Sequence, residues 1–65
     1  MTGALEKLFG EWVRGGVKLP QALREFEKWY ITTALRETHG NRSDAARRLG
    51  IHRNTLINKV KAHNL

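Results

Sequence analysis

Cysteine is absent from this 65-residue chain. Disulfide staples and thiolate metal sites are therefore excluded. Long apolar runs are missing as well. None exceeds three residues, so no stretch reads as a membrane span or a secretory signal, and a cytoplasmic location is the default expectation. Acidic side chains are scarce: six Asp and Glu stand against twelve Lys and Arg, a net charge of +6. The deficit is local. Residues 1–40 hold five acids and six bases, whereas residues 41–65 hold one acid and six bases. The second half is thus expected to meet a polyanion, through steering and counterion release. An anionic membrane would require a long basic helix with a broad apolar face. Here Gly50 cuts the basic segment into short pieces whose apolar residues are needed for packing.

The groups that chemistry requires are also missing. The three histidines, His39, His52 and His63, are scattered and share no metal-pair spacing with one another or with a carboxylate. Glu25 and Glu27 are two apart and point to different sides of a helix. No glycine loop precedes a Lys-Ser/Thr pair, and no Ser/His/Asp set has a pocket to hold it. The expectation is a non-enzyme with no cofactor, metal or small-molecule substrate. A chain of this size is one domain with a thin core, and without staples it is expected to gain stability by pairing with itself.

What is present is helical pattern. Leu5, Leu8, Phe9, Trp12 and Val13 form an amphipathic stripe over residues 4–14, which Gly15 and Gly16 end. Pro20 opens a second helix that runs to about Thr38, with Gly40 as its stop. The apolar positions of this helix spread over two sides, so two sides should be covered. One would pack on the C-terminal part; the other would meet the first helix and a second subunit. Leu5, Leu8, Phe9, Trp12, Phe26 and Trp29 are the expected dimer contacts. The whole is expected to be all-α with four helices: an N-terminal pair for dimerisation over residues 1–39 and a helix-turn-helix over 40–65. Val60, Ala62 and Leu65 would carry the core to the C-terminus.

The stretch GNRSDAARRLGIHRNTLINKVK, residues 40–61, organises the rest. Asn41 can cap a helix, and Asp44 adds a carboxylate near its positive end. Ala45 and Ala46 let another helix approach. Gly50 suits a left-handed helix stop, and Ile51 anchors the turn. A second helix starts near Arg53, with Leu56 and Val60 inward. Two helices joined by a short turn containing Gly are the signature of a DNA-reading helix-turn-helix. Helical spacing turns Asn54, Asn58 and Lys61 outward, flanked by Arg53 and Ile57. Arg can bridge guanine O6 and N7, Asn can bridge adenine N6 and N7, and an aliphatic side chain can meet a thymine methyl. Arg53, Asn54, Ile57 and Asn58 are the expected base readers. The competing reading of this face is a solvated surface.

These residues carry a family resemblance. GN at 40–41, AA at 45–46, LGI at 49–51, RNTL at 53–56 and KVK at 59–61, with LPQALREFEKWYITTAL upstream, resemble the Fis family: the DNA-bending nucleoid protein Fis and the C-terminal domains of NtrC-type activators. The resemblance implies a homodimer on double-stranded DNA, with two recognition helices in successive major grooves. It implies base contact at Arg53 and phosphate contact at Asn41, Ser43, Thr55 and Lys59; Lys61 is expected to join the phosphate group. It also implies a cytoplasmic protein of the bacterial nucleoid. Three departures stand out. His52 occupies a position where Asn or Ser usually caps the recognition helix, Ile57 and Asn58 replace basic residues of Fis, and Trp29 replaces a commonly charged residue. Because the first helix starts almost at Met1, the chain is expected to be the DNA-binding part of an enhancer-binding transcriptional activator, with Met1 an engineered start. The alternatives are a freestanding Fis-like DNA-bending protein, or a helical docking module whose function lies in its aromatic face.

Overall fold

The computed structural model describes residues 3–65. Met1, expected to be an engineered start, lies outside the described residues. The described chain is all-helical: α1 spans Gly3–Arg14, α2 Leu19–Glu37, α3 Arg42–Leu49 and α4 Arg53–Ala62. Helix α2 begins one residue before Pro20, so the proline occupies the second helical position, where its missing N–H is still free of consequence. The Gln21 side-chain oxygen accepts the Lys18 N–H at 3.1 Å and closes that end. At its other end α2 stops at Glu37, one residue short of the expected limit.

The C-terminal end of α2 is a left-handed cap, but the residue that enters it first is His39, with φ 54°, followed by Gly40 at φ 80°. The Gly40 N–H reaches back to the Leu35 carbonyl at 2.8 Å and the His39 N–H to that of Arg36 at 3.2 Å. This pairing satisfies carbonyls that the helix end leaves unbonded. Thr38, just before it, is buried. Its Oγ1 lies 2.9 Å from the Ala34 carbonyl and 3.2 Å from that of Asn41, tying the end of α2 to the start of α3.

The core is small and sits at one end of the molecule. Ile31 from α2, Ala45 and Ala46 from α3, and Leu56 and Val60 from α4 form it, with Ala34, Leu35, Leu49 and Ile51 packed around them. The alanine pair is fully enclosed, and the absence of longer side chains there lets α3 lie close to both neighbours. Helix α1 contributes no buried residue. It meets α2 through aromatic rings: the Phe9 ring centroid is 6.4 Å from that of Phe26, while within α1 Phe9 and Trp12 meet edge to face at 6.1 Å. Phe26 in turn stacks on Tyr30 at 5.9 Å.

Ala62 and Leu65 do not extend the core; both are exposed. Ala62 is two positions beyond Val60, about 200° further round the helix. Leu65 follows Asn64, whose left-handed φ of 57° turns the chain away after α4 ends. Among the described residues no helix is long and apolar enough to cross a membrane, and no three potential metal ligands gather.

Candidate nucleic-acid interface

The turn between α3 and α4 fixes the geometry. Gly50 adopts φ 71°, ψ 28°, and a Cβ placed there would meet no atom within 4 Å. The requirement for glycine is therefore one of backbone conformation and not of space. The Ile51 N–H bonds the Ala46 carbonyl at 3.0 Å, which closes α3 and aims the chain at α4. At the other end of α3, Asn41 Oδ1 accepts the Asp44 N–H at 3.0 Å. Asp44 also pairs with Arg47 and lies 3.7 Å from Arg48. The acidic side chain near the helix start thus gathers two of the cations behind it.

His52 caps α4. Its Nδ1 accepts the Asn54 N–H at 3.0 Å. The histidine replaces the usual short polar side chain and performs the same task with a ring nitrogen. An accepting Nδ1 carries no proton, so in the neutral ring the proton sits on Nε2, and that N–H is left to donate outward from an exposed residue.

Arg53, Asn54, Thr55, Asn58 and Lys61 are all exposed on α4. Asn58 lies opposite the Leu56–Val60 seam, with Asn54 and Lys61 both beside it on the side toward Ile57. Ile57 is half-buried at the margin of this face. On α3 and its cap, Asn41 and Ser43 are exposed. So are Arg42 and Arg47, two cations that the sequence pattern did not single out. Among the described residues Arg42, Arg53 and Lys61 have no carboxylate within ion-pair distance, so three positive charges of this half are uncommitted.

Lys59 is placed differently from its neighbours. Its Nζ lies 3.0 Å from Glu27 Oε2, on α2, in place of pointing away from the core. His63 Nε2 lies 2.8 Å from the other oxygen of the same carboxylate. A carboxylate only accepts, so the histidine donates. Lys59 and His63 are four apart and share one side of α4, and Glu27 is one turn before Ile31 on the side of α2 that covers the motif. The His63 side chain is 6% exposed, that of Glu27 40%. The His63 hydrogen bond, then the Lys59 hydrogen bond, hold the Glu27 carboxyl below its ordinary value, against the opposing effect of partial burial. Sequence reasoning did not find this three-residue link.

Of the residues expected at a dimer contact, Leu5 and Leu8 are exposed and Phe9 and Trp12 half-buried on α1, and Phe26 and Trp29 are exposed on α2. Trp29 is 56% exposed and Tyr30, beside it, 60%. Together with Phe9, Trp12 and Phe26 they line one open apolar surface of the N-terminal helices.

Two short helices set by a left-handed glycine, the second capped and presenting a polar, basic face, define a helix-turn-helix domain. The chain belongs to the Fis family of bacterial regulatory proteins, whose pattern residues 22–63 match. It is 45% identical over 60 residues to the DNA-binding transcriptional regulator NtrC of Klebsiella pneumoniae, an alignment covering 83% of this chain and 13% of that protein. It is 51% identical over 43 residues to NtrC of Escherichia coli K12, covering 66% and 9%. Over 40 residues it is 55% identical to the transcriptional regulatory protein ZraR of Klebsiella oxytoca, covering 62% and 9%. The chain thus spans about a tenth of the length of the relatives it matches. No solved structure matches it. The domain is a DNA-binding one of transcriptional regulators, and its family is not enzymatic.

Proposed function

We propose that this chain binds double-stranded DNA with sequence preference, as a homodimer, and serves as the DNA-binding part of a bacterial transcriptional regulator acting in the cytoplasm, at the nucleoid. The carrying observation is the face of α4. Its N-terminus is capped by His52; Arg53, Asn54 and Asn58 are exposed along it; and Arg53 and Lys61 are uncommitted cations, on a helix anchored by Leu56 and Val60. In this reading α4 enters the major groove with Arg53 leading, and Arg53 makes a bidentate contact to guanine. Asn54, Ile57 and Asn58 meet neighbouring bases. Asn41, Ser43, Thr55 and Lys61 fix the register on phosphates, joined by Arg42 and Arg47. The relatives' names, which describe DNA-binding transcriptional regulators, support the assignment. Pairing of two copies through residues 1–39 would cover the aromatic face and place two α4 helices on one duplex.

The test is a titration of wild type and Arg53→Ala on a duplex selected from a randomised pool and on a scrambled one, over a salt series. Arg53→Ala is expected to lose about 1–3 kcal/mol on the selected duplex and to relax preference at one base pair per half-site. Equal loss on both duplexes would make Arg53 a phosphate ligand. The exposed aromatic face of Phe26, Trp29 and Tyr30 favours one second reading, a docking module. Binding that is indifferent to salt would support it, since DNA affinity falls steeply as salt rises.

A further inference from the structure

Helices α2 and α4 approach each other only thinly, since α3 carries most of the contact to both. Ile31, with Ala34 and Leu35 beside it, marks the level at which α2 packs on the core that holds the α4 seam. Beside that level a cleft of about 400 Å³ opens between α2 and the motif, lined by Leu23, Phe26, Leu49 and Ile51, with Glu27 and Lys59 in its wall. The only polar links between the two helices among the described residues are the bonds of Glu27 to Lys59 and His63. These two partners sit in the last turns of α4, at the end away from the capped, reading end. A helix pinned at one level by Ile31 can still tilt about that point, and a second fastening near its far end removes that freedom.

We propose that Glu27 is a positioning residue for DNA reading: by gripping Lys59 and His63 it sets the orientation of α4 relative to α2. The inference rests on the DNA-binding reading above and adds to it a residue that touches no DNA. It also takes Lys59 out of the phosphate group and makes it part of the link. A helix whose tilt drifts still presents its charges to phosphates, which are read loosely. Hydrogen bonds to base edges are lost, because these require fixed geometry.

Charge and position act on affinity with opposite signs. Removing an acid beside a polyanion's site strengthens binding to any duplex. Loss of positioning weakens binding to the selected duplex alone. The experiment compares Glu27→Gln with Glu11→Gln, an exposed α1 residue whose loss changes the net charge equally. Affinities are measured on the selected and scrambled duplexes, with circular dichroism to confirm the folded state. Glu11→Gln should tighten both duplexes by the same factor. Glu27→Gln should tighten or leave unchanged the scrambled one while the ratio of selected to scrambled affinity falls by roughly two- to thirtyfold. His63→Leu cuts one arm of the grip while leaving the Glu27–Lys59 pair in place, and the same ratio should fall. A purely structural role would scale both duplexes with the folded fraction and leave the ratio alone. An unchanged ratio in both variants overturns the proposal. Failure of the wild type to select any sequence would instead overturn the DNA-binding reading, and this inference with it.

Discussion

Helices α3 and α4 bury Ala45, Ala46, Leu56 and Val60, whereas α1 buries nothing and the longer α2 buries only Ile31 and, at its end, Thr38. The motif is finished within one chain: each of its helices has a side-chain cap at the N-terminus and its hydrophobic seam is closed. The N-terminal pair carries the larger apolar side chains and leaves them open, with Leu23 and Tyr30 each 60% exposed. Small residues packed close complete a core, while large residues on a lone hairpin do not. The half with the larger apolar residues is thus the half that the proposed pairing of two copies would cover.

The largest expected effect breaks the finished half. Leu56 is the largest fully buried side chain, and Leu56→Ala should cost about 2–5 kcal/mol in chemical denaturation. Leu23→Ala is its counterpart in the open half. In an isolated chain it should fall within about 0.5 kcal/mol of wild type. A cost that grows with protein concentration would show that a second copy covers Leu23.

A smaller effect tests the joint within the motif. Gly50→Val forces a β-branched side chain into φ 71°, at an expected cost of about 1–3 kcal/mol. A Cβ at this position meets no atom within 4 Å, so the expected cost comes from the backbone conformation. DNA affinity should fall with motif stability while association through the N-terminal helices survives. An unchanged melting temperature would contradict the assignment of this turn.

The joint between the halves offers a gain. His39 sits left-handed at the end of α2, a conformation costly for a residue with a Cβ. His39→Gly should stabilise the protein by about 0.5–1 kcal/mol, the relief being partly offset by a looser unfolded chain. A lowered melting temperature would mean that the imidazole itself holds the joint.

These positions show what the sequence discloses and what it does not. Asn41, Ala45, Ala46, Gly50, Leu56 and Val60 report through local rules: a cap, a small pair, a left-handed stop and helical spacing. The α3–α4 pair follows from them, and Gly15, Gly16 and Pro20 mark off the two helices before it. His39 escaped because Gly40, next to it, is the obvious stop, and which of two adjacent residues turns first is set by how Thr38 packs. Ala62 is small and apolar, yet its angular position, two residues past Val60, turns it outward. The Glu27 link joins residues 32 and 36 apart, and no periodicity relates a residue on one helix to its partner on another. Helical spacing does place Glu27, Ile31 and Thr38 on one side of α2 and Lys59 and His63 on one side of α4.

The smallest effect concerns that link, which ties the open half to the finished one. The Glu27 carboxyl is held below 4.5 by His63 first and Lys59 second. In the unfolded chain these partners are gone and the carboxyl returns to its ordinary value. Protons therefore bind the unfolded chain more readily in this range, and acid favours unfolding. The stabilisation is complete above about pH 4.5 and is lost as the pH falls through the folded value. The carboxylate is 40% exposed, so solvent and salt screen it, and the loss should not exceed about 1 kcal/mol. The measurement is thermal unfolding of wild type and Glu27→Gln between about pH 6 and about pH 3. The other carboxylates titrate in both proteins, so the difference between the two curves isolates Glu27. Wild type should lose more stability than the variant over that interval, and less so at high salt. Parallel curves would show that the link contributes no net stability, leaving the two halves joined by the core alone.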